Sequence, residues 1–148
     1  MKRTRILIAD DHPQIRELLH VILEPEFKVV GAAEDGELLL QYAQSLQPDV
    51  IISDIDMPKV DGLQAARLLK DVAPGARIIF LSAHAAPSYI AAALAVGAAG
   101  YLIKGGTTDL IGSLRDMIGS LQTQTNAPYV SPAERKSSLP HAERRPVR

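Results

Sequence analysis

The chain has no cysteine and no tryptophan, and aromatic residues make up only 4% of its 148 positions. The missing thiols exclude disulfides, thiolate zinc sites and cysteine nucleophiles. A strong charge imbalance is also missing, since the formal net charge is −1. That balance hides an asymmetry. Residues 122–148 carry Arg135, Lys136, Arg144, Arg145 and Arg148 against Glu134 and Glu143, so the first 121 residues are net acidic. This body offers no electrostatic footprint for nucleic acid. The apolar run Ile6–Ala9 behind "MKRTR" is too short for a secretory signal core. One stretch, Ile78–Ile103, lacks Asp, Glu, Lys and Arg over a length that could span a bilayer. It contains Ser82, His84, Pro87, Ser88, Gly97 and Gly100, however, and divides better into strand, helix and strand. The expectation is a cytoplasmic protein without membrane contact.

Short apolar runs alternate with helical stripes. Strands are expected at 5–10, 28–33, 49–54, 76–82 and 100–104, and helices at 12–24, 36–46, 62–72, 88–97 and 107–121. Ile15, Leu18, Leu19, Ile22 and Leu23 give the first helix its apolar stripe. Pro13 suits its opening turn, where a missing N–H loses nothing. Gly97 suits the end of the fourth helix. Five strictly alternating β–α units with near-continuous apolar strands predict a parallel sheet covered by helices on both faces. After Leu121 the sequence turns polar and proline-spotted and loses its periodicity. The expected organisation is one α/β domain over residues 1–121, followed at 122–148 by a disordered basic tail or truncated linker.

In such sheets, ligands bind beyond the carboxyl ends of the strands. The first strand ends in Asp10 and Asp11, the third in Asp54, the fourth in Ser82 and the fifth in Lys104. Three converging carboxylates repel one another unless a cation intervenes. A hard divalent ion such as Mg²⁺ takes oxygen ligands and binds beside phosphates. Lys104 and Ser82 can then offer a charge and a hydrogen-bond donor to a phosphoryl group. A carboxylate can itself be the nucleophile. The chemistry suggested is Mg²⁺-assisted phosphoryl transfer onto an aspartate.

The stretches "ILIADDHPQIRELL", "DVIISDIDMPKVDGLQAARLL", "IIFLSAH" and "GAAGYLIK" resemble, in order and spacing, the response-regulator receiver domains of two-component signalling. The resemblance covers about residues 4–121 and is nearest to the NarL/FixJ-type subfamily, whose members usually carry a C-terminal helix-turn-helix. It implies a CheY-like, flavodoxin-like doubly wound sheet of five parallel strands in the order 2-1-3-4-5, with five helices. It also implies that Asp54 is the phosphoacceptor. Asp11 and Asp54 would bind Mg²⁺ directly with the backbone carbonyl of Asp56, and Asp10 mainly through water. Lys104 would contact the phosphoryl group, Ser82 would move toward it on activation, and Tyr101 would be the aromatic switch that follows. Pro58 and Gly62 would shape the loop after the acceptor. Asp56 and His84 occupy positions that tune phosphate lifetime in the family. Many members have proline after the lysine, where this chain has Gly105 and Gly106, so the geometry of that loop stays open.

Other readings compete at single residues. Asp10–Asp11 would suit a helix cap, Asp35 and Asp61 turns beside glycines, Lys104 a solvated strand end, and Tyr101 plain core. His12 would only flank the acidic pocket. For the whole chain, the implied role is a phosphorylation-controlled switch served by a sensor histidine kinase or phosphotransfer protein. Homodimerisation through helix four, strand five and helix five is a further expectation. A receiver fold kept as a docking module uncontrolled by phosphorylation is the alternative. A haloacid-dehalogenase-type phosphatase would also use a two-aspartate motif like "DID" at 54–56, but there the motif follows the first strand. The chain is expected not to be an enzyme beyond self-directed phosphotransfer and dephosphorylation. A helix-turn-helix would need about 60 further residues, so no autonomous DNA binding is expected.

Overall fold

The structure, a computed structural model, describes residues 2–105, 109–122 and 129–130. Strands and helices alternate along the chain: β1 (Arg5–Ala9), α1 (Pro13–Leu23), β2 (Lys28–Ala33), α2 (Gly36–Leu46), β3 (Val50–Ser53), α3 (Gly62–Val72), β4 (Arg77–Ser82), α4 (Pro87–Ala95), β5 (Gly100–Ile103), α5 (Leu110–Gln122) and β6 (Tyr129–Val130). All pairings are parallel, and the sheet order is β2-β1-β3-β4-β5-β6. The first five strands follow the expected 2-1-3-4-5 order.

The sixth strand departs from the five expected. Tyr129 and Val130 pair with Gly100 and Tyr101 along the outer edge of β5. That edge otherwise presents unpaired backbone groups, which an extended segment of any sequence can satisfy. These two residues form a short strand within the stretch expected to be a disordered tail or truncated linker. The rest of 123–148 lies outside the described residues, as does the expected start of the last helix at 107.

β1, β3, β4 and β5 bury both faces, while β2 at the edge is half-exposed, and the alternation of the strands sorts the core. Ile6, Ile8, Val50, Ile52, Ile79, Leu81 and Leu102 point to the side covered by α1 and α5, where they meet Leu19, Leu114, Met117 and Ile118. Leu7, Ala9, Ile51, Ile78, Phe80 and Tyr101 point the other way, against Leu39, Ala65, Leu69 and Ala93 of α2, α3 and α4. Residues such as Ile52 and Ile79 are wholly inaccessible, and each contributes about 2 kcal/mol by leaving water. This two-sided burial explains why the strands read as continuous apolar runs. The uncharged stretch 78–103 resolves into β4, α4 and β5, and among the described residues no helix is long and apolar enough to cross a membrane.

The helix ends are chemically specified. Asp35 and Asp61 cap α2 and α3, accepting 2.8 Å bonds from the N–H groups of Leu38 and Gln64. They are caps as well as turn residues. Pro13 and Pro87 open α1 and α4. Gly97, at φ 91°, closes α4 with paired bonds Gly97 N–H to Leu94 and Ala98 N–H to Ala93, a Schellman arrangement.

Candidate phosphoacceptor site

Backbone pairing at the strand ends places the site. Just past β1, the Asp10 N–H bonds Ala33 at 3.0 Å. Just past β3, the Asp54 N–H bonds Ala9 at 2.9 Å. Just past β5, the Lys104 N–H bonds Ser82 at 2.8 Å. Each is the next rung of a sheet ladder, so side chains distant in sequence meet at one carboxyl edge.

There the Lys104 ammonium lies 2.9 Å from Asp54 Oδ2 and 2.7 Å from Asp10 Oδ2. Asp10 and Asp54 are buried, and the lysine side chain is only 17% exposed, which disposes of a solvated strand-end role. Asp54 Oδ1 is held by the backbone N–H of Ile55 at 2.7 Å and, more loosely, of Asp56 at 3.4 Å. Burial pushes the Asp54 carboxyl above the ordinary aspartate range, a push that Lys104 opposes and Asp10 adds to. Burial works against the Lys104 ammonium, but its contacts with Asp10 and Asp54 outweigh this and raise its pKa.

Asp11 stands beside this pair at the rim, one-third exposed. The His12 ring nitrogen Nδ1 lies 2.9 Å from Asp10 Oδ1 and 3.0 Å from Asp11 Oδ1. His12 also donates its backbone N–H to Asp10 Oδ1 at 2.9 Å, and Arg16 holds the Asp10 carbonyl at 2.7 Å. The α1 N-cap is therefore His12, without a side-chain cap bond. The aspartate pair serves the pocket rather than the helix end.

One ligand atom from each of Asp10, Asp11, His12 and Asp54 falls within 4.8 Å of all the others. A single ammonium leaves this cluster net negative. Asp10 Oδ2 and Asp11 Oδ1 are buried and accept no hydrogen bond of good geometry. Asp10 Oδ2 meets Lys104 as an ion pair only. Buried carboxylate oxygens short of donors are what a hard cation satisfies, so the residues present fit Mg²⁺. Asp10 sits against Lys104 as closely as Asp54 does, a direct contact beside the expected metal role.

The remaining predicted residues lie around the pocket, Ser82 and Tyr101 buried and Asp56 and His84 at its rim. The buried Ser82 hydroxyl accepts the His84 N–H at 3.1 Å. His84 Nε2 contacts Asp56 Oδ2 at 2.5 Å, joining the β3–α3 and β4–α4 loops. Its ring stacks on Tyr89, with centroids 3.8 Å apart. Tyr101 is fully buried and donates its hydroxyl to the His84 carbonyl at 2.7 Å. It is thus both core and tied to the β4–α4 loop. Gly62 is needed for space, because a Cβ there would overlap the Asp54 carbonyl oxygen.

The response regulator receiver domain family matches residues 6–115. The chain belongs to that family. It is 44% identical over 104 residues to the transcriptional regulatory protein DegU of Brevibacillus brevis, covering 69% of this chain and 44% of that protein. It is 35% identical over 118 residues to a probable transcriptional regulatory protein NarL of Mycobacterium tuberculosis, covering 78% and 55%. The isolated receiver domain of RcsB from Salmonella enterica serovar Typhimurium, solved with the phosphomimetic BeF3⁻, superposes with a TM-score of 0.80 at 26% identity, covering 91% of this chain and 98% of that one. The chain therefore spans about half the length of the curated relatives it matches. Receiver domains are signalling domains of two-component systems rather than typical enzymes.

Proposed function

We propose that this domain is switched by phosphorylation of Asp54. The observation that carries the reading is the Lys104 ammonium bridging Asp54 and Asp10, inside a cluster of three aspartates that fits a divalent cation. Asp54 Oδ2 is the attacking atom, since Oδ1 is occupied by backbone N–H groups. A phosphohistidine on a sensor kinase or phosphotransfer protein is the proposed donor. The P–O bond to Asp54 forms as the P–N bond breaks, and the departing imidazole keeps the electron pair and takes up a proton. Asp11 and Asp54, with the Asp56 carbonyl, would hold Mg²⁺ directly and Asp10 mainly through water, and the ion would supply charge neutralisation for the incoming phosphoryl oxygens. Lys104 moves its ion pair from the free carboxylate to the phosphoryl group, and Ser82 exchanges its bond with the His84 N–H for one to a phosphoryl oxygen.

That exchange supports the switch reading. Ser82, His84 and Tyr101 are joined through the same short loop, so a shift at Ser82 is felt at the surface formed by α4, β5 and α5. A second copy of the chain or an output partner would read that surface. The Asp56–His84 contact lies across the rim and is proposed to slow loss of the phosphate by restricting the attacking water. Residues 1–121 form the proposed receiver unit, the proposed setting is cytoplasmic, and no DNA binding is assigned to this chain.

The test is intact-protein mass after acetyl phosphate treatment, with and without Mg²⁺. The expected result is a Mg²⁺-dependent gain of about 80 Da, one phosphoryl group, that disappears in Asp54→Ala. A gain that survives Asp54→Ala would move the acceptor elsewhere. No gain, either with acetyl phosphate or with a phosphorylated kinase partner, would favour the docking-module alternative.

A further inference from the structure

The loop that follows the acceptor is braced from a place remote from the pocket. The backbone turns sharply at Lys59, which has φ 70°, and the Val60 N–H closes back on the Pro58 carbonyl at 2.8 Å. A bond of that span around a positive-φ centre is a γ-turn, a rare and strained form. A non-glycine residue holds such a conformation only where its surroundings enforce it.

The surroundings are the start of α2. Gly36 lies so close beneath the turn that a Cβ there would overlap the Val60 carbonyl oxygen, with the carbonyl carbon and Val60 Cβ also too near. Gly36 is therefore set by space. Its neighbour Asp35 is buried, caps α2 through Oδ1 and directs Oδ2 at Lys59 Nζ, 3.7 Å away. At the far end of the loop, the Gly62 N–H bonds the Ile55 carbonyl at 2.7 Å. At the near end, the Ile55 and Asp56 N–H groups hold Asp54 Oδ1. The chain of contacts from Gly36 thus ends on the acceptor carboxylate.

We infer that Asp35 and Gly36 are positioning residues for the phosphoacceptor: by seating the Lys59 γ-turn, they fix the loop that aims the Asp54 carboxylate at the cation. This rests on the reading of the pocket as a Mg²⁺ site. Neither residue touches the reacting atoms. Both act through residues 55–61.

The test is calorimetric titration of the full chain with Mg²⁺, beside thermal unfolding in EDTA. Gly36→Ala pushes the turn away and should weaken Mg²⁺ binding about tenfold, as loss of outer support does at other metal sites. Lys59→Gly is the second variant, which keeps the test decisive if Gly36→Ala unfolds. Glycine accepts φ 70° without strain and removes both the ion pair to Asp35 and the stiffness of the turn. Its melting temperature in EDTA should stay within a few degrees of wild type while Mg²⁺ binding weakens about threefold. A merely structural role would not separate those two readouts. Wild-type affinity in Lys59→Gly, with Asp11→Asn abolishing binding, would overturn the positioning role and leave the metal site standing. Failure of the wild-type chain to bind Mg²⁺ would overturn both.

Discussion

The Tyr101 hydroxyl donates a 2.7 Å hydrogen bond to the backbone carbonyl of His84, joining the middle of β5 to the loop after β4. Tyr101 is wholly buried, so the bond is made away from water. Tyr101→Phe keeps the ring and leaves that carbonyl without this donor. The expected loss is about 1–2 kcal/mol, read as a lower urea midpoint at unchanged m-value. Amide exchange at residues 83–86 should quicken in the same variant.

Asp54 opposes the fold that holds it. Its carboxyl binds a proton more tightly when folded than when unfolded, so the ionised form destabilises the native state at neutral pH. Asp54→Asn should therefore raise the melting temperature by a few degrees at pH 7 without Mg²⁺, on the scale of about 4 °C or more per kcal/mol for a domain this size. The advantage should shrink as pH falls through the folded-state pKa, where wild-type Asp54 takes up its proton. Saturating Mg²⁺ should close the same gap by stabilising only the wild type.

Lys104 acts in the opposite sense. Its pKa is raised in the fold, so its stabilising effect is complete below the unfolded value of about 10.4 and is lost as pH rises through the folded one. Lys104→Met leaves Asp10 and Asp54 buried together without their shared cation. The expected destabilisation is about 3 kcal/mol at pH 7 in EDTA. Mg²⁺ should restore part of it, and chemical unfolding in the two conditions measures both effects.

Asp56 and His84 meet at the exposed rim, where Asp56 is 66% accessible. Asp56→Ala should leave stability within about 0.5 kcal/mol, as surface substitutions do. The proposed barrier to water would then be open, and the phosphorylated form should decay severalfold faster when followed by intact mass. Unchanged decay would remove this pair from the control of phosphate lifetime.

Much of this arrangement is written in short-range patterns. The alternation of apolar strands and helical stripes carries the parallel sheet, because its central strands must bury both faces, and the family resemblance carries the order. The pocket is legible for a related reason. Asp10 and Lys104 follow directly on apolar runs and Asp54 one serine beyond another, and parallel strands bring their carboxyl ends to one edge. What escapes the sequence depends on contacts between loops. Nothing in "EDGELL" announces that Gly36 sits under the Val60 carbonyl. Nothing in "DDH" tells that the His12 ring lies between the two aspartates. Gln47 takes a left-handed conformation at the end of α2 and bonds the Val72 carbonyl at 2.9 Å, a clip with no periodic signature. The β6 pair is equally silent, since two residues carry no period and their partner is set by which sheet edge is free.

The parallel sense of β6 fixes the direction of the chain along the edge of β5. Because Val130 pairs with Tyr101, the chain arrives at Val130 travelling toward the strand ends where Lys104 stands. Val130 therefore stands about 10 Å along the strand direction from the level of Lys104, three residues at the rise of an extended chain. The last described strand thus runs toward the edge that holds the candidate phosphoacceptor rather than toward the opposite pole of the sheet.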